Sequence, residues 1–301
     1  MLDVRRLRLL RELAQRGTIA AVAEALAYTP SAVSQQLAAL EREAGVPLLE
    51  RTGRSVTLTP AALRLAEHAE AILAVLEQAS AELATARTEL TGTLRIGAFP
   101  TAVRTMLSPA LVALSREHPR LELLVSELDP VSAPAALRAE SLDIALVQEY
   151  DYVPAAPETG LDTEPFLEET VYLAAPSPAP LATHRDSPWI ASTHGTLCHL
   201  MTVRACEAAG FAPRIRHHAD DFGTVLALVA AGQGVALVPE LGALHIPEGV
   251  ALVPLPTRRR TRLAYRRGTG AHPAIAAARA ALHTACAAIP AAGVSPGGDA
   301  R

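Results

Sequence analysis

Apolar residues recur at helical spacing along the first ninety positions and in shorter, strand-like runs thereafter. Over residues 3–15, Leu7, Leu10 and Leu13 share one side and arginines the other, which predicts an amphipathic helix. Gly17-Thr18 interrupts it, and Thr18 is placed to cap a second short helix running to about Ala27. Thr29 is a good N-cap and Pro30 suits a first helical turn, so a third helix is predicted from there to about Ala44, stopping at Gly45. Segments near 48–51 and 55–58 flank Thr52-Gly53-Arg54 and predict a small hairpin, or wing. Thr59-Pro60 repeats the cap-plus-proline start, and a long helix is predicted to about Leu90. Its apolar positions fall in heptads: Ala62, Ala69, Leu76, Leu83 and Leu90, with Leu65, Ile72, Ala79 and Ala86. A seam of that length calls for another helix. A partner subunit is the favoured source, and packing within the chain is the alternative.

After Gly92 the pattern changes. Strands are predicted at 94–98, 121–126 and 144–147, with helices at 101–117 and 132–140. A second series has strands at 171–175 and 189–191, a helix at 197–209, a strand at 214–218, a helix at 222–231 and a strand at 235–238. A strand at 261–266 and a helix at 273–288 close it. Such alternation predicts parallel sheets covered by helices. Residues 291–301, with Gly293, Pro296, Gly297 and Gly298, are predicted to be a disordered tail.

The run AAVAEALAYTPSAVSQQLAALEREAGVPLLERTGRSVTLTPAA over 20–62 resembles the DNA-binding segment of LysR-type transcriptional regulators. The match takes in the Ala-rich second helix, Ser31-Ala32-Val33-Ser34, Leu40-Glu41, Gly45-Val46-Pro47-Leu48, Glu50-Arg51 and Leu58-Thr59. The segment from Ala230 to Val235 resembles the family's second regulatory subdomain. The resemblance implies an α/β protein with an N-terminal winged helix-turn-helix (1–59) and a linker helix (60–90) that dimerises. A two-lobed effector domain similar to periplasmic binding proteins would follow (91–290). Its lobe I would be 92–162 and 261–290, and its lobe II 163–258. Three positions depart from the family: Pro30 where many members have Gln, Leu49 where Phe is usual, and Ala62 for a common Gly.

In a helix-turn-helix the second helix enters the major groove, and its first residues reach base edges. Here those are Thr29, Pro30, Ser31, Ser34 and Gln35, with Gln36 near. Gln can pair with adenine and Ser can donate or accept. Arg51 and Arg54 flank the wing and are candidates for backbone or minor-groove contact, or for pairing with Glu50 or Glu43. Val33, Leu37 and Leu40 are spaced to face the core. For the effector, the candidates are residues at helix starts and strand ends. Phe99, Pro100 and Thr101 follow the first strand, Glu127 and Asp129 the second, and Gln148 and Glu149 the third. Thr193 and Thr196 precede one helix, and Asp221 and Phe222 open the next. Helix starts favour anions, but these acids suit an amine-bearing or uncharged ligand at least as well. Thr196 and Asp221 equally suit plain helix capping.

Composition changes the picture little. Half the chain is apolar but only 3% aromatic, so the cores are built from Ala, Leu and Val. The chain has no lysine, which excludes Schiff-base chemistry and a phosphate-loop Lys. Net charge is −4, while residues 1–60 carry eight Arg against six acids. The DNA reading therefore rests on pattern rather than on charge. Cys198, Cys206 and Cys286 make no disulfide framework and fit a reducing cytosol. Cys198 and Cys206 invite comparison with the family's peroxide-sensing branch; inert thiols are the favoured reading. His194, Cys198, His199, His217 and His218 match no regular zinc spacing, and Gly232-x-Gly234 follows a helix, the reverse of a dinucleotide loop. No catalytic motif, signal peptide or bilayer-spanning run is present. The expectations are a cytoplasmic regulator, not an enzyme, without metal or cofactor. Its expected partners are double-stranded DNA, itself (homodimer or dimer of dimers, hence homotetramer) and a small-molecule effector, with RNA polymerase as a further candidate.

Overall fold

The computed structural model describes residues 1–52, 55–86, 89–155 and 158–289. Helices α1 (Val4–Arg16), α2 (Ile19–Ala25) and α3 (Pro30–Ala44) pack with the hairpin β1 (Leu49–Thr52) and β2 (Ser55–Leu58), and with the start of α4 (Pro60–Thr85). Local chemistry sets the helix ends. The hydroxyls of Thr18, Thr29 and Thr59 accept the N–H of Ala21, Ala32 and Ala62, each satisfying a donor that the helix leaves unpaired. Gly17 and Gly45 close α1 and α3 at φ 75° and 68°, a conformation that a side chain strains. Leu7, Leu10, Val22, Val33, Leu37 and Leu40 fill the space between the helices. The Glu41 carboxylate accepts from the N–H groups of Leu48 and Leu49 (2.9 and 3.0 Å), pinning the hairpin to α3.

The heptad seam of α4 is divided. Ala62 and Ala69 are buried in the core shared with α1. Ile72, Leu76 and Leu83 stand exposed by 39, 45 and 75% in the single chain. The first part of the seam is thus used within the chain, and only the later part is open to another helix. The helix also stops at Thr85, short of Leu90. There the Thr85 hydroxyl donates to the Glu82 carbonyl (2.6 Å), the kind of local bond that competes with helix propagation.

The remaining strands are β3 (Gly92–Ala98), β4 (Leu121–Glu127), β5 (Ile144–Tyr150), β6 (Leu161–Ala175), β7 (Pro188–Ala191), β8 (Arg214–His218), β9 (Ala236–Pro239) and β10 (Ala251–Arg266). Between them lie α5 (Pro100–Ala102), α6 (Ser108–Glu117), α7 (Ala133–Arg138), α8 (Leu197–Ala208), α9 (Phe222–Ala230) and, last, α10 (Pro273–Ala287). One six-stranded sheet runs β4-β3-β5-β10-β6-β9, and β7 and β8 form a parallel pair bridged to it at Trp189/Val235. The sheet is mixed, which corrects the expectation of parallel sheets. β3 is parallel to β4 and β5, but β10 is antiparallel to β5 and β6. The cause is that β6 and β10 are long strands that run in opposite directions through both lobes. Reading apolar runs finds only their ends, at 171–175 and 261–266. Their other halves alternate buried and solvated residues.

Smaller corrections have local causes. The helix expected at 101–117 begins at Pro100 and contains a π turn, Val103–Leu107. The helix expected at 132–140 is α7, entered through a 3-10 turn, Pro130–Ser132, that Asp129 caps. β5 continues through Tyr150, so Gln148 and Glu149 lie on the strand rather than after it.

The N-terminal unit touches the first lobe directly. Arg16 and Arg11 donate to the carbonyls of Ala135 and Arg138 in α7, both at 3.4 Å, a favourable place for cations at a helix end. Arg8 pairs with Glu140 (2.9 Å), and Arg266 pairs with Glu77 of α4 (2.9 Å). Gly268, at φ 90°, lies so close to the Ala74 carbonyl of α4 that no Cβ fits. Among the described residues, no helix is long and apolar enough to cross a membrane.

Candidate functional site

Two places gather the residues singled out from sequence. The first is the start of α3. Thr29, Pro30, Ser31, Gln35 and Gln36 are exposed and Ser34 is half-buried, while Val33 and Leu37 point into the core. The side chains of Ser31, Ser34 and Gln35 bond to nothing among the described residues and are free for an outside partner. Thr29 is occupied as the cap, at 3.2 Å from the Ala32 nitrogen. Gln36 differs from its neighbours: its Oε1 accepts from Arg6 Nε (3.0 Å), and Arg6 also pairs with Glu43. It is therefore tied to α1. Arg51 contributes its backbone to β1; its side chain, and the whole of Arg54, lie outside the described residues.

The second place is a cleft of about 270 Å³. Its walls are strand ends and helix starts from both lobes, where open α/β sheets usually hold ligands. Phe99, Pro100 and Thr101 follow β3, and Glu127 and Asp129 stand at the end of β4. Gln148 projects from β5, and Thr196 and Phe222 stand at the starts of α8 and α9. These eight sequence candidates share the one cavity. Three others do not. Glu149 follows Gln148 on a strand, so its side chain faces the other way, toward a second cavity that Gln148 and Pro130 also border, and its Oε2 accepts from the Ala155 N–H (3.1 Å). Thr193 is exposed and bonded to Asp220 through its N–H and hydroxyl (2.8 and 2.6 Å). Asp221 caps α9 through the Thr224 N–H and pairs with Arg104 of the first lobe. That arginine holds its carboxyl below the usual carboxylate range.

The cleft floor was not foreseen from the sequence. Arg259 of β10 is fully buried and lines the cavity beneath Phe99, its guanidinium carbon 4.9 Å from the ring centre. Its Nε and Nη2 donate to Glu169 Oε2 of β6 (3.0 and 2.8 Å), and Glu169 Oε1 accepts from the Leu241 N–H. Burial opposes the charge of Arg259, but Glu169, with Tyr150 and Cys198 beside it, more than offsets this and the guanidinium is held above its ordinary pKa. Among the described residues Nη1 has no partner, and the same is true of Gln148 Oε1 and the hydroxyls of Thr257 and Thr261, all buried. The register explains the grouping: Tyr150, Arg259 and Glu169 form one cross-strand row, and Gln148 and Thr261 belong to the next. A usable signal was the alternation Leu255, Thr257, Arg259, Thr261, Leu263 within the run Arg258-Arg259-Arg260, which buries one arginine of three.

Cys198, Ser192 and Asp220 also line the cleft. The Cys198 sulfur lies 3.3 Å from the Tyr150 hydroxyl and 3.6 Å from Gln148 Nε2. Burial pushes the Cys198 thiol up, and burial pushes the Tyr150 hydroxyl well up, so both are protonated at neutral pH. The Ser192 carbonyl accepts from Nδ1 of both His199 and His218 (3.0 and 3.1 Å), and His199 Nε2 accepts from His194 (3.1 Å). Among the described residues, no group of His, Cys, Asp and Glu is arranged to hold a metal ion.

Two family descriptions match the chain. The bacterial regulatory helix-turn-helix protein, lysR family, matches residues 4–63, and the LysR substrate binding domain matches residues 87–287. The chain is similar to the transcriptional dual regulator GltC of Bacillus subtilis, 29% identical over 248 residues that cover 79% of this chain and 81% of that protein. A probable hydrogen peroxide-inducible genes activator of Mycobacterium avium is 31% identical over 236 residues, covering 75% of this chain and 74% of that protein. Among solved structures, a cysteine mutant of OxyR from Corynebacterium glutamicum is 27% identical, covers 95% of this chain and 94% of that one, and superposes with a TM-score of 0.55. Full-length CbnR complexed with its target DNA shares the fold at 22% identity and a TM-score of 0.51, covering 94% of this chain and 100% of that one.

Proposed function

Because the chain belongs to the LysR family of bacterial transcription regulators, we propose that the start of α3 reads DNA while the cleft between the lobes senses an effector. The chain is a DNA-binding transcriptional regulator with an effector-binding domain. One observation carries the assignment of the reading residues: Ser31, Ser34 and Gln35 stand together at an exposed helix start with no side-chain partner among the described residues. Hydroxyl and amide groups there match base edges in the major groove, and Thr29, with the first N–H groups of α3, suits a phosphate. Pro30 sets the helix start, and Arg51 and Arg54 are assigned to the wing. Gln36 is assigned a supporting role, since Arg6 holds it. Selection from random duplexes with the purified protein tests this. One sequence class should be enriched, and Ser34→Ala with Gln35→Ala should abolish that enrichment without unfolding the protein.

We assign the effector to the cleft lined by Phe99, Thr101, Asp129, Gln148, Thr196 and Arg259. A ligand there sets the angle between the lobes. The segment 130–138 supports a route outward: Pro130 lines the cleft, and the α7 carbonyls of Ala135 and Arg138 receive Arg16 and Arg11 of α1. A second copy of the chain meets the outward half of the α4 seam, at Ile72, Leu76 and Leu83. Sedimentation should show at least a dimer without DNA, and Leu83→Glu should shift it toward monomer. The role is binding rather than catalysis, as for the regulators it resembles, and its place of work is the cytoplasm, with the DNA.

Although some relatives are named for hydrogen peroxide induction, we assign Cys198 and Cys206 no redox role. Burial in the second lobe's core pushes the Cys206 thiol up to about 12. Both residues sit on α8, about 12 Å apart along its axis, beyond disulfide reach. Treatment with peroxide should leave the two sulfurs unlinked.

A further inference from the structure

We propose that the effector is a zwitterion of amino-acid type, its carboxylate held on the cleft floor by Arg259 and its ammonium held at the rim by Asp129 and Glu127. The inference rests on the reading of the cleft as the effector site. The floor and the rim ask for opposite groups. On the floor, Arg259 Nη1 is buried and unbonded while its other nitrogens are engaged by Glu169. An incoming carboxylate oxygen supplies the missing acceptor, and a charge-assisted bond of this kind is among the stronger ones. The start of α8, a helix of 12 residues whose cap Thr196 and whose Cys198 line the same cavity, adds unpaired N–H groups on that side.

At the rim the free groups are acids. Asp129 uses Oδ1 to cap the Val131 N–H and leaves Oδ2 open; the Glu127 side chain bonds to nothing among the described residues. Asp220 is the less available acid, since each of its oxygens already accepts from Thr193. A bare carboxylate would satisfy Arg259 but face uncompensated acids at the rim. A bare amine would satisfy the rim and leave the Arg259 nitrogen unbonded. The cavity of about 270 Å³ holds one small metabolite. The buried and unbonded Gln148 Oε1 gives it a further contact.

The test is thermal melting and calorimetry of the full-length protein with the twenty protein amino acids, their des-amino acids and their decarboxylated amines. At least one amino acid should raise Tm, by about 4 °C at ten times its Kd, while its des-amino acid and its amine do so far less. Asp129→Asn keeps the Val131 cap and the fold; it should weaken that amino acid about tenfold and leave the des-amino acid unchanged. Gln148→Leu should weaken both. Stabilisation by the des-amino acid or the amine equal to that by the amino acid overturns the proposal, as does a response to no amino acid. In either case the cleft reading is judged apart. It stands if some other compound stabilises the protein and loses its effect in Gln148→Leu, and it falls if cleft substitutions change no compound's effect.

Discussion

The start of α3 and the floor of the cleft both present polar groups without partners, but they do so in opposite surroundings. Gln35 and Ser31 stand in water, which satisfies them at no cost to the fold. Arg259 Nη1, Gln148 Oε1 and the hydroxyls of Thr257 and Thr261 are buried, where an unmade hydrogen bond costs about 1–3 kcal/mol. The surface proposed to read DNA therefore carries no desolvation penalty while it is empty. The cleft holds free energy in reserve that a ligand with suitable groups releases. That difference suits one region to scan many sequences and the other to answer one compound.

The comparison is broken most forcefully at Glu169. Replacing it by Leu strands Arg259 as an unpaired buried charge, for which a loss of about 3–5 kcal/mol is expected. Urea unfolding followed by the fluorescence of Trp189, the single tryptophan and a buried residue of the second lobe, measures it. Adding Arg259→Met should recover most of the loss, since an apolar pair leaves no charge uncompensated. On the exposed side the same logic predicts no change in stability. Gln35→Ala should leave the unfolding curve unmoved and weaken discrimination among duplexes by about 1–3 kcal/mol, the worth of one base contact. A stability loss there would show that Gln35 is structural.

The smallest effect belongs to the bridge between the lobes, Arg104 with Asp221. Arg104 holds the Asp221 carboxyl below its ordinary value. Its contribution to stability is therefore present above the usual carboxylate range and is lost as pH falls through the lowered value. Both side chains are well exposed, at 54 and 39%, so solvent screening limits the effect to about 0.5 kcal/mol. Comparing Asp221→Asn with the parent protein between neutral and acid pH should show a difference that shrinks as pH drops. Asn keeps the cap on α9, so the comparison isolates the charge.

The N-terminal unit was legible because its determinants are local. Thr18, Thr29 and Thr59 cap the helices that follow them within three residues, and Gly17 and Gly45 end helices at their own positions. The cleft was legible in outline, since strand ends and helix starts can be found from apolar runs. Its floor was hidden, because the central parts of β6 and β10 carry few apolar residues and read as connections. The exposure of Arg258 and half-burial of Arg260, against the full burial of Arg259, depends on pairing with β5 and β6.

Sequence alone thus determined the helix-turn-helix, the polar character of its open end, the order of strands and helices, and which helix starts could face a ligand. Periodicity, caps and turns act over a few residues, so one chain segment carries the whole instruction. The tertiary structure decided that Arg259 and Glu169, ninety positions apart, meet in one buried pair with a nitrogen to spare. It also turned Gln148 into the cleft and Glu149 away from it, and it left only the later α4 seam open. Strand register and burial belong to the assembled sheet rather than to any segment, because the sheet determines which face of each strand is shielded from water.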